Sequence, residues 1–153
     1  MRLIDAQVHV YERNHKERPW FDELVGPEEV TADTMVGEME RVGVDGAILV
    51  SPWTMYRYDA SYAISVYEKY PNKFRLVKPV DPNKPEVGEI IQEWAKNKGA
   101  VAIRLMLAYE EQRDLSEHGL DVVMRTASRC NFPVNLLCWG NVEEAGRLAK
   151  QYP

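Results

Sequence analysis

Polar and apolar residues alternate at the start of the chain, over residues 3–10. Successive side chains of a β-strand point to opposite faces, so this alternation predicts a strand with one apolar face. The opposite face carries Asp5, Gln7 and His9. Three polar groups on one strand face cost free energy if they are buried without partners. We therefore expect these side chains either to be hydrogen-bonded or to line a site.

Four further apolar runs have the length of strands, and a helical pattern follows each of them. The runs lie at residues 44–50, 74–80, 100–107 and 133–139. In the helical patterns, apolar residues recur every three or four positions, the spacing of a helix that buries one face. The last helix is expected to bury Val142, Ala145, Leu148 and Ala149. Five strand–helix units in strict alternation predict an α/β fold with a parallel sheet.

Two polar connections stand out in length. Residues 11–30 form a loop between the first strand and the first helix, and loops this long are usually binding loops or disordered segments. Trp20 and Phe21 favour a packed loop. A second polar loop is expected over residues 109–117. Between the long loops, Thr31 or Asp33 is suited to begin the first helix, and Gly43 is suited to end it.

Two parallel architectures fit five such units: an open, doubly wound sheet, or part of a (β/α)8 barrel. An open sheet is covered by helices on both sides, so both faces of each strand should be apolar. The first strand instead has its polar face, and the run 100–107 places Ala100, Ala102 and Arg104 on one face. A barrel lumen accepts small and polar residues near the carboxyl ends of its strands. This difference favours the barrel.

Composition narrows the function classes. The chain has 153 residues, of which 45% are hydrophobic and 28% charged, as in one globular domain with a core. A net charge of −5 without a basic cluster argues against a nucleic-acid partner. No run approaches the roughly 20 apolar residues of a membrane span. Cys130 and Cys138 lie outside metal-binding spacings, so we expect reduced thiols and a cytoplasmic protein.

The segment DAQVH at residues 5–9 resembles the D-x-H-x-H opening of the amidohydrolase superfamily. The chain is most similar to the amidohydrolase-2 branch of TIM-barrel hydrolases, lactonases and decarboxylases, which tends to have similar segments at residues 43–47, 80–82 and 131–134. The resemblance implies that residues 1–153 are the N-terminal part of a single TIM-barrel domain, with five or so of its eight units.

The chain departs from the family in two ways. A complete barrel needs roughly 250 residues, so its later strands would lie beyond residue 153. The family's histidine on strand six and its aspartate on strand eight, the general base, belong to that region. We expect either a longer protein, which we favour, or a homo-oligomer in which a second chain completes the barrel. The other departure is Gln7, which replaces the first histidine of the motif.

The resemblance implies one divalent metal ion, zinc or manganese, with His9 as a ligand. Imidazole nitrogen suits such metals, whereas a glutamine amide is a weak ligand. Gln7 therefore indicates a weakened metal site or a hydrolase that works without metal. Asp5 has two open roles. It either braces His9 as a hydrogen-bond acceptor or accepts from backbone amides.

Candidate substrate-binding residues lie within the run 100–107, in the case of Arg104, or follow the carboxyl ends of the strands, where barrel active sites form. Arg104 suits a substrate carboxylate, which a guanidinium binds through two hydrogen bonds. Its alternative is an ion pair with a carboxylate such as that of Asp5. The other candidates either wall a pocket or pack the loops, and they are Trp53, Tyr56, Arg57 and Trp139.

The predicted function is hydrolysis of a small carboxylated lactone, or of a related C–O or C–N bond, with water as nucleophile. His9, Gln7 and Asp5 are its candidate catalytic residues. One alternative is a metal-dependent decarboxylase of the same branch, which Gln7 disfavours. Another is a non-catalytic half barrel that binds or assembles. A half barrel leaves backbone N–H and C=O groups unpaired at the edges of its sheet, which natural proteins avoid. A stable 17.6 kDa monomer would therefore contradict the half barrel.

Overall fold

A computed structural model describes residues 1–23, 25–107 and 117–153 of the chain. These residues form two compact units, Met1–Pro79 and Val80–Pro153. Five β-strands alternate with α-helices along the sequence, as predicted, and the strand pairs within each unit are parallel. No helix in the described ranges is both long enough and apolar enough to cross a membrane.

The first unit contains three strands and three helices. They are β1 (Ile4–Val8), α1 (Ala32–Val42), β2 (Gly46–Val50), α2 (Trp53–Tyr56), α3 (Ser61–Lys69) and β3 (Phe74–Pro79). β2 lies between β1 and β3. Leu49, Phe74 and Leu76 have no exposed surface, which confirms that β2 and β3 supply the core of this unit. The burial of β2 on both faces explains its continuous apolar run.

The predicted ends of α1 are confirmed. The Thr31 side chain accepts a hydrogen bond from the Thr34 amide at 3.3 Å, which satisfies one of the free N–H groups of the first turn. Gly43 ends the helix with a φ of 77°, a conformation that costs glycine little. The short helix α2 was not predicted. It forms because the Pro52 carbonyl accepts from the Met55 and Tyr56 amides.

β1 departs from the strict alternation of its sequence. Asp5 pairs with Ala47 and Val8 pairs with Leu49, so three steps along β1 match two steps along β2. The extra residue forms a β-bulge, which changes the side of the sheet toward which the following side chains point. Val8 is buried, as are Val10 and Tyr11, whereas Ile4 at the start of β1 is exposed.

The loop after β1 is closed at its base and packed inside. Tyr11 and Val30 exchange two backbone hydrogen bonds of 2.9 Å, which bring the loop ends together. The Trp20 ring meets the Tyr11 ring edge to face, with centroids 5.8 Å apart. These contacts confirm that Trp20 packs the loop.

The second unit contains two strands and three helices. They are α4 (Val87–Trp94), β4 (Ala100–Met106), α5 (Glu117–Arg129), β5 (Val134–Leu137) and α6 (Val142–Gln151). The Trp94 indole donates to the Ala102 carbonyl at 3.0 Å and ties α4 to β4. Residues 109–116 of the predicted polar loop lie outside the described residues.

The predicted buried face of α6 is wrong in part. Leu148 is buried, whereas Val142 and Ala149 are exposed. The apolar spacing correctly gives one side of the helix. The spacing does not show how much of that side is covered by neighbouring elements. In α6, only Leu148 is fully buried.

Candidate active site

His9 directly follows β1 and is held by the last residue of β2. Its Nδ1 atom lies 2.7 Å from the carbonyl oxygen of Val50. A carbonyl oxygen only accepts, so Nδ1 carries the proton. In the neutral imidazole, the lone pair therefore lies on Nε2, which acts as a hydrogen-bond acceptor.

Gln7 lies on the same side of the strand as His9, although the bulge interrupts the alternation near it. The Gln7 side-chain nitrogen is 3.4 Å from Nε2 of His9. The amide donates toward the imidazole lone pair in this arrangement. Both residues are exposed. An acceptor and a donor thus lie side by side at the carboxyl end of β1.

Asp5 bonds to the backbone of β1. Its Oδ1 atom accepts from the Gln7 amide at 2.9 Å, a short-range bond that side chains of this type often make two residues onward. Of its two predicted roles, this contact corresponds to the acceptor of backbone amides. This bond lies within the bulge of β1. Asp5 is thus linked to Gln7 and His9 through the main chain rather than through their side chains.

Trp53 and Tyr56 lie in the core, where the sequence left open whether they wall a pocket or pack a loop. The Tyr56 hydroxyl accepts from the Glu12 amide at 3.1 Å. Burial is the main cause that raises the pKa of Tyr56 above its ordinary value of 10.0. Tyr56 thus remains a neutral phenol that anchors the loop after β1.

Arg57 has an unusual backbone and a well-defined side chain. Its φ of 49° lies in the left-handed region, which costs a non-glycine residue about 1–3 kcal/mol. The guanidinium carbon stands 3.9 Å from the Trp53 ring centroid. Nη2 lies 2.7 Å from a carboxylate oxygen of Asp22, a partner that sequence reasoning missed. The available signal was an acid beside Trp20 and Phe21 in the loop.

His15 joins two carboxylates of the same loop. Its Nε2 lies 2.9 Å from Glu12 and its Nδ1 lies 3.0 Å from Glu17. Carboxylates only accept, so both bonds form together when both ring nitrogens carry protons. The hydrogen bond from His15 holds the pKa of Glu17 below its ordinary value of 4.5. Arg18 also pairs with Glu12, which closes the network.

Two predicted site residues belong to the second unit. Arg104 lies in β4, opposite Asn135 of β5, and only 7% of its surface is exposed. Its backbone carbonyl accepts from the Val80 amide at 3.0 Å. Trp139 follows β5 and is 86% exposed. Burial of Arg104 suits a charged partner, whereas most of the Trp139 side chain is exposed.

Solved structures decide the fold. A probable 2-pyrone-4,6-dicarboxylic acid hydrolase from Acinetobacter baumannii, with citric acid bound, matches with a TM-score of 0.64 at 16% identity, over 89% of this chain and 49% of that chain. An amidohydrolase from Burkholderia multivorans with bound zinc matches with a TM-score of 0.62 at 15% identity, over 88% of this chain and 48% of that chain. A 5-carboxyvanillate decarboxylase from Novosphingobium aromaticivorans with bound manganese matches with a TM-score of 0.60 at 17% identity, over 87% of this chain and 49% of that chain.

The chain is similar in fold to about half of each of these TIM-barrel structures. It spans about half the length of the structures that it matches, 48% and 49% of the chains above. No protein-family model matches the sequence, and no curated protein matches it. The predicted fold, an α/β chain of barrel units, is confirmed.

Two of these structures hold a metal ion, zinc in one and manganese in the other. Zinc sites in proteins use at least three side-chain ligands. Within residues 1–23, 25–107 and 117–153, no three His, Cys, Asp or Glu side chains form a group that could hold a metal ion. The end of β1 offers one imidazole nitrogen and one amide. The described residues therefore do not by themselves form a site for the zinc or manganese ion of those structures.

The second unit contains a cleft of about 330 Å³. Phe132, Pro133 and Val134 line it at the amino end of β5, with residues of α5. Active sites of TIM barrels form at the carboxyl ends of the strands. The barrel fold therefore directs attention to His9 and Gln7, which are at the carboxyl end of β1.

Proposed function

We propose that His9 and Gln7 belong to the active site of an amidohydrolase-type hydrolase. Its substrate is a small carboxylated lactone or a related compound with a hydrolysable C–O or C–N bond. The observation that carries this proposal is the bond from His9 to the Val50 carbonyl, which leaves Nε2 as an acceptor beside an amide donor. The fold likeness to a probable hydrolase of 2-pyrone-4,6-dicarboxylic acid, a carboxylated lactone, supports it.

The two side chains have complementary roles in this proposal. Nε2 of His9 accepts a hydrogen bond from water and turns the water's oxygen toward the substrate carbonyl carbon. The Gln7 amide donates to the carbonyl oxygen, which gains negative charge as water adds. The resemblance assigns the proton of the water to an aspartate elsewhere in the barrel. When the intermediate collapses, the C–O bond breaks and the leaving oxygen takes the proton that the aspartate accepted from the water.

A lactone assay tests the proposal. The chain, in the full-length protein or assembly that supplies the rest of the barrel, is incubated with 2-pyrone-4,6-dicarboxylate, and loss of the pyrone absorbance and release of protons are followed. We expect turnover, and we expect His9→Asn to lower kcat/KM about 100-fold, the scale of losing the correct position of a reacting group. Asparagine retains a donor for the Val50 carbonyl, so it removes mainly Nε2.

The matched control is His118→Asn, because His118 is an exposed histidine of α5. Its kcat/KM should stay within about twofold of wild type. Equal losses in both variants, or no turnover of any carboxylated lactone by wild type, would contradict the proposed role of His9. In the second case, a binding or assembly role becomes the better account.

Decarboxylation is the second candidate, and the fold likeness to a 5-carboxyvanillate decarboxylase favours it. That structure holds manganese, whereas the described residues of this chain do not fit a metal by themselves. The two reactions differ in their products. Release of CO2 from 5-carboxyvanillate in the presence of manganese, without lactone turnover, would support decarboxylation over hydrolysis.

A further inference from the structure

The guanidinium of Arg57 is positioned on three sides within the first unit. Trp53 lies beneath it at 3.9 Å, and the Phe21 ring centroid is 5.5 Å from the guanidinium carbon. Its Nη2 contacts Asp22 at 2.7 Å. The Arg57 side chain is 20% exposed. A guanidinium held against aromatic rings loses little further freedom when it binds a planar anion.

The backbone at this position indicates that the side chain matters. Arg57 adopts a φ of 49°, which glycine tolerates far better than any residue with a Cβ atom. The Trp53 carbonyl accepts from the Arg57 amide at 2.8 Å and fixes this conformation. Strain of this kind concentrates at binding and catalytic sites. The position follows α2, beyond the carboxyl end of β2.

The partner of Arg57 is easily displaced. The Asp22 side chain is 56% exposed, and an ion pair with so exposed a member is weak. Asp22 lies in the loop that follows β1, and this part of the loop is fastened through the Phe21 amide, which donates to the Met55 carbonyl at 2.9 Å. The Asp22 carboxylate can therefore leave Arg57 while the backbone beside it stays in place.

We propose that Arg57 recognises a carboxylate of the substrate and that Asp22 is an internal competitor for the same guanidinium. The substrate carboxylate replaces the carboxylate of Asp22. Ligands that offer two oxygens to the guanidinium therefore bind most tightly, because they form two parallel hydrogen bonds. This inference rests on the proposed function, since it assigns a carboxylate-binding residue to that substrate class. It makes Asp22 a determinant of affinity and specificity.

Binding of isophthalate tests the inference, because this dicarboxylate has no lactone bond and is not hydrolysed. Titration calorimetry should show that Asp22→Asn binds isophthalate about two- to fivefold more tightly than wild type, the range expected when an exposed ion pair is removed. Arg57→Met should bind about tenfold or more weakly, because it loses charge-assisted hydrogen bonds.

Glu23→Gln is the matched control. It removes the same charge from the adjacent exposed residue, so its affinity should equal that of wild type. Equal tightening by Asp22→Asn and Glu23→Gln would overturn the inference, since net charge alone would then explain the result. Unchanged binding by a folded Arg57→Met would overturn it as well. Circular dichroism and Tm measurements check the folding of each variant.

The outcome is separate from that of the hydrolase proposal. Tighter isophthalate binding by Asp22→Asn without any lactone turnover would support the carboxylate site and reject the hydrolysis. Lactone turnover with identical isophthalate affinities in wild type, Asp22→Asn and Glu23→Gln would support hydrolysis and reject Asp22 as a competitor.

Discussion

The Nδ1 atom of His9 donates to the carbonyl oxygen of Val50 across 2.7 Å, between the carboxyl ends of two neighbouring parallel strands. This bond fixes the orientation of the ring and the nitrogen that carries its proton. The remaining nitrogen, Nε2, lies 3.4 Å from the side-chain nitrogen of Gln7. The chemistry of the proposed site depends on this arrangement.

The first prediction concerns the tautomer of His9. Two-bond proton–nitrogen NMR correlations above about pH 8, where an ordinary imidazole is neutral, should show a protonated Nδ1 in His9. The Val50 carbonyl enforces this form because it only accepts. The exposed His118 serves as the internal reference, and free imidazole favours protonation at the other nitrogen. A protonated Nε2 in His9 would contradict the hydrogen bond.

The second prediction restores the histidine of the D-x-H-x-H motif. Gln7→His places a second imidazole beside Nε2 of His9, so zinc should bind about tenfold or more tightly than in wild type. Calorimetric titration with zinc chloride measures the change. Gln92→His adds a histidine at an exposed position of α4 and should leave zinc affinity unchanged. Equal gains in both variants would mean that the added histidine acts nonspecifically.

The third prediction compares two glycines of the first unit. Gly43 ends α1 with a φ of 77°, so Gly43→Ala should lower the free energy of unfolding by about 1–2 kcal/mol. Gly37 lies inside the same helix with open space around it, and Gly37→Ala should raise that free energy by about 0.5–1 kcal/mol. Urea denaturation measures both, and destabilisation of the same size in the two variants would contradict the assignment.

The fourth prediction concerns Asp33 and pH. Hydrogen bonds from Lys69 and Tyr70 hold the pKa of Asp33 below its ordinary value of 3.8. A lowered pKa in the folded state stabilises the protein above the unfolded pKa, and this contribution disappears as pH falls through the folded pKa. Asp33→Asn should therefore destabilise the protein at neutral pH, and the difference from wild type should shrink below about pH 4.

Urea denaturation across that pH range measures the effect of Asp33→Asn. In the Lys69→Met background, the same substitution should cost less at neutral pH because the ammonium donor is gone. A difference between wild type and Asp33→Asn that stays constant down to about pH 2 would show that the carboxylate charge is not what stabilises α1 against α3.

Local chemistry determined much of this protein. The apolar spacing predicts five strand–helix units because a strand or a helix buries the side that its own periodicity creates. Thr31 and Gly43 mark the ends of α1 because their interactions reach only a few residues along the chain. The pairing of Gln7 with His9 follows from the same short range, since they are two positions apart in the sequence.

Tertiary structure decided the remaining features, because they depend on contacts between distant residues. The tautomer of His9 depends on the carbonyl of Val50, 41 residues away, and no spacing in the sequence encodes which nitrogen it meets. The partner of Arg57 is Asp22, 35 residues away in the loop after β1. The bulge in β1 results from its register against β2, which only the packed sheet fixes.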